Sequence, residues 1–347
     1  MKTSQRQKII LNTLVDEYVE QGEALSSAAL AEKTHLDVSS ATIRNDLAQL
    51  EQEGFVKHLH TSSGRIPTDK GYRQYVDELV VAKSSEILDP FAFESKLCDV
   101  CTGIDKLLTF SADILAEVTR HPVILLTEDQ RISIIKYIQL VLLNIHQVLI
   151  VVLDHYGENF EEIIQLRDNV ITQDALNKMT EVLNHVYHDR KMDDLGAQLK
   201  ADTEIIIKRF EAHQAILMQI QEALSNSSRR LSRRRVHIKN ERQLLEFPEL
   251  QTIETLKRIH GVLDSENKLI QCFQTFAKSG VEVRIGGEHT LTELSETSMV
   301  AGQIEIDGRS IAKIGILGPT RMKYGQVLDQ VGGLMSVLRG RIKSLFL

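Results

Sequence analysis

Residues 38–50 read Val-Ser-Ser-Ala-Thr-Ile-Arg-Asn-Asp-Leu-Ala-Gln-Leu, and this stretch decides how the first part of the chain folds. Ile43, Leu47 and Leu50 recur at helical spacing, so the pattern predicts a helix with one apolar side. The opposite side carries short or hydrogen-bonding side chains, and two serines can cap the first turn. Side chains of this kind can bind phosphates and read base edges. Taken alone, the stretch nevertheless favours an ordinary amphipathic surface helix.

Two helices predicted before this stretch change that interpretation. The first has an apolar stripe that ends at Gly22, and the second is short and runs from Ser26 to Lys33. A turn follows at residues 35–37, and the third helix ends at Gly54, a residue type common just past helix ends. Three helices within about 50 residues have the spacing of a helix-turn-helix domain.

A short hairpin is predicted directly behind the third helix. Residues 55–60 have a strand pattern, residues 61–65 form a tight polar turn, and Ile66-Pro67 return the chain. A hairpin in this position is the wing of a winged-helix domain. Arg65 at the tip of the wing could reach a phosphate or the minor groove. A fourth helix with its own apolar side follows the wing.

The charge distribution limits how such a domain can bind DNA. The whole chain has a net charge of −7, so any contact with DNA must come from a local patch. Residues 55–75 carry four basic residues against one acidic residue, which places the positive charge on the wing side. A patch of this size should bind DNA weakly in one copy and better in two, through avidity. The predicted DNA-binding residues are Ser39, Ser40, Thr42, Arg44, Asn45 and Gln49 on the third helix, and Lys57, Thr61, Ser62, Arg65 and Lys70 in and after the wing.

Three segments of the chain resemble the family of heat-inducible transcription repressors called HrcA. They are residues 38–46, residues 60–73 (His-Thr-Ser-Ser-Gly-Arg-Ile-Pro-Thr-Asp-Lys-Gly-Tyr-Arg) and residues 315–322 (Gly-Ile-Leu-Gly-Pro-Thr-Arg-Met). The resemblance implies a homodimer that binds an inverted-repeat operator, CIRCE, upstream of chaperone operons. It also implies that the chaperonin GroEL promotes the active form of the repressor. The implied fold is α+β and multidomain, with an N-terminal winged helix, a GAF-like domain and an inserted dimerising domain.

Domain boundaries follow from the patterns together with this resemblance. We predict a winged helix-turn-helix domain at 1–82, a linker at 83–90, a GAF-like sensor domain from 91–170 and 230–347, and a helical dimerisation domain inserted at 171–229. Three β-rich runs within residues 132–166 are expected to pair antiparallel, and a hairpin is expected across Asp307-Gly308.

Two segments of the C-terminal part have no role that the resemblance supplies. Residues 229–242 hold seven basic residues against one acidic residue. Such a run can be a second DNA contact, a solvated segment or a partner for nearby acids. Residues 285–289 read Ile-Gly-Gly-Glu-His, whereas the family usually has Ile-Gly-Glu-Glu-Asn, so no ligand role is carried over to this loop.

Two rival functions share parts of the pattern. One is a winged-helix repressor that responds to a small ligand in its sensor-like domain. The other is a metal or redox protein that uses Cys98-Asp99-Val100-Cys101 and histidines. A zinc site needs a second ligand pair, and neither His58 and His60 nor His185 and His188 have an adjacent carboxylate cluster in sequence. No nucleophile–base pattern or phosphate-binding loop is recognisable, so we predict no enzyme and no cofactor.

Composition places the chain in a broad class. Hydrophobic residues make up 42% and charged residues 26%, as in soluble globular proteins of two or three domains. Three cysteines do not suit a disulfide framework and fit a reducing cytosol. No apolar run reaches the roughly 18 residues of a membrane span, and no secretion signal is recognisable, so the predicted location is the cytoplasm.

Overall fold

The structure is a computed structural model that describes most of the chain. The described residues are 4–58, 64–83, 93, 103–127, 134–155, 157, 159–166, 171–191, 210, 213–231, 235–276, 280–306 and 309–345. Within these ranges, no helix combines the length and the apolar character that crossing a membrane requires. The Cys98–Cys101 motif and nearly all of the predicted linker lie outside the described residues.

The N-terminal part is a winged helix-turn-helix domain. Ser4 caps the first helix and Ser39 caps the third, each accepting a hydrogen bond from a backbone N–H of the first turn. The two wing strands pair antiparallel, which confirms the predicted order of three helices, hairpin and fourth helix. The tip of the wing, residues 59–63, lies outside the described residues. The elements are α1 (Gln5–Gln21), α2 (Ser27–Lys33), α3 (Ser40–Gln52), β1 (Val56–His58), β2 (Arg65–Pro67) and α4 (Asp69–Lys83).

The rest of the chain alternates between helices and antiparallel strands. In order, the described elements are α5 (Ile104–Thr119), β3 (Val123–Thr127), β4 (Ile135–Asn144), β5 (Gln147–Asp154), β6 (Asn159–Gln165), α6 (Gln173–Tyr187), α7 (Gln214–Leu231), β7 (Arg235–Lys239), α8 (Ile253–Leu263), α9 (Glu266–Gln274), β8 (Val281–Ile285), β9 (Thr297–Ile306), β10 (Arg309–Pro319) and α10 (Tyr324–Leu345). Short 3₁₀ helices lie at Glu241–Glu246, Pro248–Leu250, Gly286–Glu288 and Thr292–Leu294.

A five-stranded antiparallel sheet in the order β7-β3-β10-β9-β8 is the centre of what we call the sheet domain. Alternate side chains of each strand point to opposite faces, as the pleat requires. Val123 and Leu125 of β3 pack with α5 and α10, whereas Ile124 and Leu126 pack with α8 and α9. The result is a three-layer α+β domain, and the β9–β10 hairpin across residues 307–308 is as predicted.

The insert, which comprises β4 to α7, has a separate hydrophobic core. Its three strands pair antiparallel as predicted, and one face of the sheet is buried against α6 and α7. The edge of β4 is satisfied by side chains of α6: Asn184 exchanges two hydrogen bonds of 2.7 Å with the backbone of Ile138. Gln173 and Thr180 bond to the next backbone groups along β4. This edge is therefore closed to further strands.

The cores divide the chain differently from the predicted boundary at residue 171. Residues 135–165 were expected in the GAF-like domain, but their inward side chains share a core with α6 and α7. The insert thus begins near Ile135. Strand periodicity indicates a strand, but it does not indicate which helices will cover it. The basic run contains the unpredicted edge strand β7, where His237 and Lys239 lie within 3.3 Å of the Asp113 carboxylate.

The winged helix is docked on the sheet domain through α4. The rings of Tyr72 and Tyr324 lie 5.8 Å apart within one continuous core. Beside them, the Arg73 guanidinium donates to Glu288 Oε1 at 2.7 Å and to the carbonyl oxygen of Val283 at 2.7 Å. The Asp69 carboxylate accepts from the backbone N–H of Gly287 at 3.0 Å. Residues 285–289, which depart from the family pattern, are therefore the docking loop.

Ionisation supports this docking. Burial opposes the charged form of Glu288, but hydrogen bonds from Arg73 and the Ile285 N–H lower the pKa of its carboxyl below the ordinary value. The ion pair therefore stabilises the docked state at neutral pH. Its contribution is lost as the pH falls through that lowered pKa. At the other end of the interface, Arg321 donates to the carbonyl oxygen of Val19 at 3.1 Å.

Gly286 is required by this close approach. Its φ is +52°, in the left-handed region, and a Cβ atom there would overlap the Asp69 carboxylate. We predict that Gly286→Ala lowers the free energy of unfolding by roughly 1–3 kcal/mol, because the backbone is strained and Asp69 loses its bond to Gly287. Thermal unfolding measures this change.

Gly261→Ala is the matched control. Gly261 lies in α8, and an added Cβ there meets nothing within 4 Å. This substitution should raise the stability by about 0.5–1 kcal/mol. If Gly286→Ala unfolds at the same temperature as the natural chain, the docking loop does not depend on glycine.

Candidate nucleic-acid interface

Helix α3 separates its apolar side from its polar side as the sequence predicts. Ile43, Leu47 and Leu50 are buried in the core of the winged helix. The other side, which we call the DNA-facing surface, bears the six predicted residues. Ser39, Ser40, Arg44, Asn45 and Gln49 are exposed, and Thr42 is half-buried. A hydroxyl–hydroxyl hydrogen bond of 3.0 Å joins Thr42 to the capping residue Ser39.

An unpredicted ion pair fixes α1 against α3. Asp46 is buried on the apolar side of α3, and both of its carboxylate oxygens accept from Arg6, at 2.7 and 3.0 Å. A bidentate pair of this kind holds its partners in one geometry. The sequence carried a signal, because Asp46 falls among the apolar positions of the helix. It did not indicate which basic residue would pair with it.

A second contact from α1 reaches the DNA-facing surface itself. The amide nitrogen of Gln7 donates to the amide oxygen of Gln49 at 2.6 Å. Gln7 is buried, so its side chain has been taken out of water and held in place by its partners. Gln7 and Gln49 are 42 positions apart in the chain, and no local sequence pattern indicates that they would pair.

The wing side is partly occupied by internal contacts. Arg65 is the first residue of β2 and lies opposite His58, at the end of the two-stranded ladder next to the tip. Its guanidinium pairs with Glu51 Oε2 at 2.9 Å and contacts His58 Nδ1 at 2.7 Å. Lys70 lies 4.4 Å above the Phe55 ring and donates to a backbone carbonyl of the α3 C-terminus. Lys57 is exposed on β1.

These internal partners weaken the positive field of the wing. The predicted residues Thr61 and Ser62 lie outside the described residues. Arg65 is largely shielded by the carboxylate of Glu51, and that carboxylate offsets its charge. The described part of the surface therefore presents mostly uncharged polar side chains and is not a strongly basic patch.

The side chains considered for redox or metal chemistry are placed elsewhere. Cys272 is buried in the sheet domain, and burial raises the pKa of its thiol to about 11, which keeps it protonated at neutral pH. His188 lies beside His155 and Asp189 on the surface of the insert, not paired with His185. The Asp189 carboxylate contacts His155 at 2.7 Å and His188 at 3.1 Å, so both histidines share this one carboxylate.

Comparison with known proteins adds to this geometry. Residues 105–328 match the family model described as HrcA protein C terminal domain, and residues 6–66 match the model described as DeoR-like helix-turn-helix domain. The chain is similar to "Heat-inducible transcription repressor HrcA" of Clostridium acetobutylicum, with 31% identity over 332 residues and 95% of each chain covered. The protein of the same description from Pelotomaculum thermopropionicum is 32% identical over 337 residues, which cover 95% of this chain and 94% of the relative.

A solved structure has the same fold. A crystal structure of a hypothetical protein at 2.2 Å resolution superimposes with a TM-score of 0.71 and 23% sequence identity, and 99% of each chain is covered. The arrangement of winged helix, sheet domain and insert is therefore shared along the whole length of the two chains.

Proposed function

This chain belongs to the HrcA family of heat-inducible transcription repressors, and from that premise we propose that it silences chaperone operons as a homodimer on an inverted-repeat operator of the CIRCE type. Its relatives are repressors rather than enzymes. The observation that carries the proposal is α3, whose apolar side is buried and whose polar side is exposed. A helix of this kind fits the major groove.

Each predicted residue has a role in this proposal. Asn45 lies in the middle of the DNA-facing surface, where it would meet base edges, and Gln49 lies one turn further along the helix. Ser39, Ser40, Thr42 and Arg44 surround the first turns and would bind phosphates or flanking bases. Lys57, Thr61, Ser62, Arg65 and Lys70 would touch the backbone or the minor groove. For Arg65 this contact requires a phosphate oxygen to replace the Glu51 carboxylate.

Two copies are needed because one DNA-facing surface carries little positive charge. Two-fold symmetry would place the half-sites on one face of the DNA, about 34 Å or a multiple of it apart. The outer face of the insert sheet supports pairing of two copies. Tyr137, Leu143 and Ile163 are 47%, 47% and 53% exposed on it, whereas a solvated sheet face normally carries polar side chains.

One edge of the insert sheet is closed to a second copy, and its outer face offers an apolar contact. Side chains of α6 occupy the edge of β4, so a second copy cannot add a strand there. The outer face lies opposite the buried face, and Leu149 stands directly across from Ile163 in the register. We therefore assign the homodimer contact to this apolar face.

The response to heat is proposed from the family resemblance. Heat would release the winged helices from the sheet domain or separate the dimer, and the chaperonin GroEL would restore the active form in the cytoplasm. An apolar face that dimerisation covers suits this idea, because chaperonins bind exposed apolar surface. Footprinting on a chaperone promoter, with and without chaperonin, tests the proposal. A chain that protects no promoter sequence under either condition would contradict it.

Asn45→Ala tests the assignment of base reading to α3. We expect operator binding to weaken by roughly 1–3 kcal/mol, because a base-specific contact is lost, while binding to scrambled DNA changes little. Equilibrium binding to both DNAs gives the comparison. Asn267→Ala, at an exposed position of α9, should change neither affinity. An equal loss on scrambled DNA would remove Asn45 from the base-reading residues.

Arg65→Ala tests the wing contact. If Arg65 neutralises one phosphate, the slope of log affinity against log salt should become shallower by about 0.9. Glu51→Gln, which frees the guanidinium from its carboxylate, should instead strengthen binding at low salt. An unchanged slope for Arg65→Ala would exclude Arg65 as a phosphate contact.

Ile163→Glu tests the dimer face. A charge on the apolar face should shift the chain from dimer to monomer and reduce operator affinity, because burying an unpaired carboxylate is costly. Sedimentation velocity measures the oligomeric state. Ile253→Glu is the matched control, since Ile253 is 74% exposed on α8, away from this face. A dimer that survives Ile163→Glu would place the interface elsewhere.

A further inference from the structure

A chain of hydrogen bonds runs from the start of α1 to the DNA-facing surface. The backbone N–H of Ser4 donates to Gln7 Oε1 at 2.8 Å, and Gln7 Nε2 donates to Gln49 Oε1 at 2.6 Å. Gln7 is only 7% exposed, whereas Gln49 lies at the surface. The neighbouring pair of Arg6 and Asp46 holds the same turn of α1 against α3.

The donor and acceptor roles along this series of hydrogen bonds follow from its first donor, the backbone N–H of Ser4. The oxygen and nitrogen of an amide have nearly the same shape, so the orientation of a glutamine has to be assigned from its partners. A backbone N–H only donates, and therefore the atom of Gln7 that faces Ser4 is the oxygen. The other arm of Gln7 is then the NH₂ group, which only donates and requires the oxygen of Gln49.

This assignment leaves Gln49 with donors for an external partner. A glutamine that reads adenine uses its oxygen and its nitrogen together, on N6 and N7. Here the oxygen of Gln49 is turned toward Gln7, which draws it away from a contact that both amide atoms would share with one base. Its NH₂ group is then the part left to meet DNA. In the major groove, guanine offers two acceptors, O6 and N7, and thymine offers O4, whereas cytosine presents an amino donor. Adenine offers both N7 as an acceptor and an amino donor, so it suits either orientation of the Gln49 amide.

We infer that Gln49 is a specificity-determining residue that selects a guanine or thymine edge over cytosine in each half-site, and that Gln7 is the positioning residue that holds it in the donor orientation. The inference rests on the proposed function, since it concerns how the same surface reads its operator. It adds to that function the class of base edge that one named position requires.

Gln7→Glu reverses the donor and acceptor roles between residues 7 and 49, with almost no change in the shape of the side chain. One carboxylate oxygen still accepts from Ser4, and the other now faces Gln49 as an acceptor. The Gln49 amide should then turn and present its oxygen to the DNA. Gln49→Glu reaches the same state from the exposed side: one oxygen accepts from Gln7, and the other faces the groove. The second variant avoids placing a carboxylate in the buried position.

The measurement is the dissociation constant for a panel of operators in which each half-site position is substituted in turn. For both variants we expect the preference at one position to change from guanine or thymine toward cytosine. The relative affinities at that position should change on the order of tenfold. Gln52→Glu is the matched control, because it adds the same charge to an exposed position of α3. It should weaken binding to all sequences and leave the preference unchanged.

The outcomes separate this inference from the proposed function. If the natural chain selects its operator but both variants keep the natural preference at every position, Gln49 does not read a base acceptor and the inference is overturned while the function stands. If the preference changes equally in Gln52→Glu, the effect is one of charge and the inference is also overturned. If the natural chain does not distinguish operator from scrambled DNA, both proposals fail.

Discussion

The docking of the winged helix on the sheet domain is the constraint on which the rest of the structure depends. Tyr72 packs with Tyr324 in a core common to both domains, and Arg73 beside them satisfies Glu288 and the end of β8. Helix α1 packs against both α3 and α4, so whatever fixes α4 also fixes the direction of α3. Two copies joined through their inserts would then hold their two α3 helices at a fixed separation. Loss of the docking would abolish that separation.

The charge of the DNA-facing surface is set by ion pairs within the domain rather than by the net charge of the whole chain. The guanidinium of Arg65 is directed to Glu51, and Asp46 engages Arg6, so two of the nearby cations are already neutralised within the domain. A surface of this kind gives little non-specific attraction, because non-specific binding depends mainly on uncompensated positive charge. Specific hydrogen bonds, together with the second copy of the proposed homodimer, would then supply more of the affinity. This suits a repressor that has to find one operator and release it.

The sheet of the insert is covered on one face and along one edge. The inner face of its sheet is covered by α6 and α7, and the edge of β4 is satisfied by Asn184 and its neighbours. What stays open is an outer face with apolar residues at alternate positions. Hydrogen bonding therefore closes the β4 edge, and the apolar outer face is the surface that we propose a second copy covers. The separation of this core from that of the sheet domain also allows the two units to differ in stability.

Local periodicity by itself determined the winged helix, both sides of α3, the strands of the insert and the β9–β10 hairpin. These features depend on the spacing of apolar residues, turns and caps over a few positions, which the chain carries directly. Only the tertiary structure decided that residues 135–165 share a core with α6 and α7, that Arg65 turns back to Glu51, and that Gln7 reaches Gln49. The last of these pairs is separated by 42 positions, and α1 and α3 must already be packed before the two amides can meet. Partner choice among buried polar groups depends on that packing, because each group accepts whichever complementary atom the fold brings within reach.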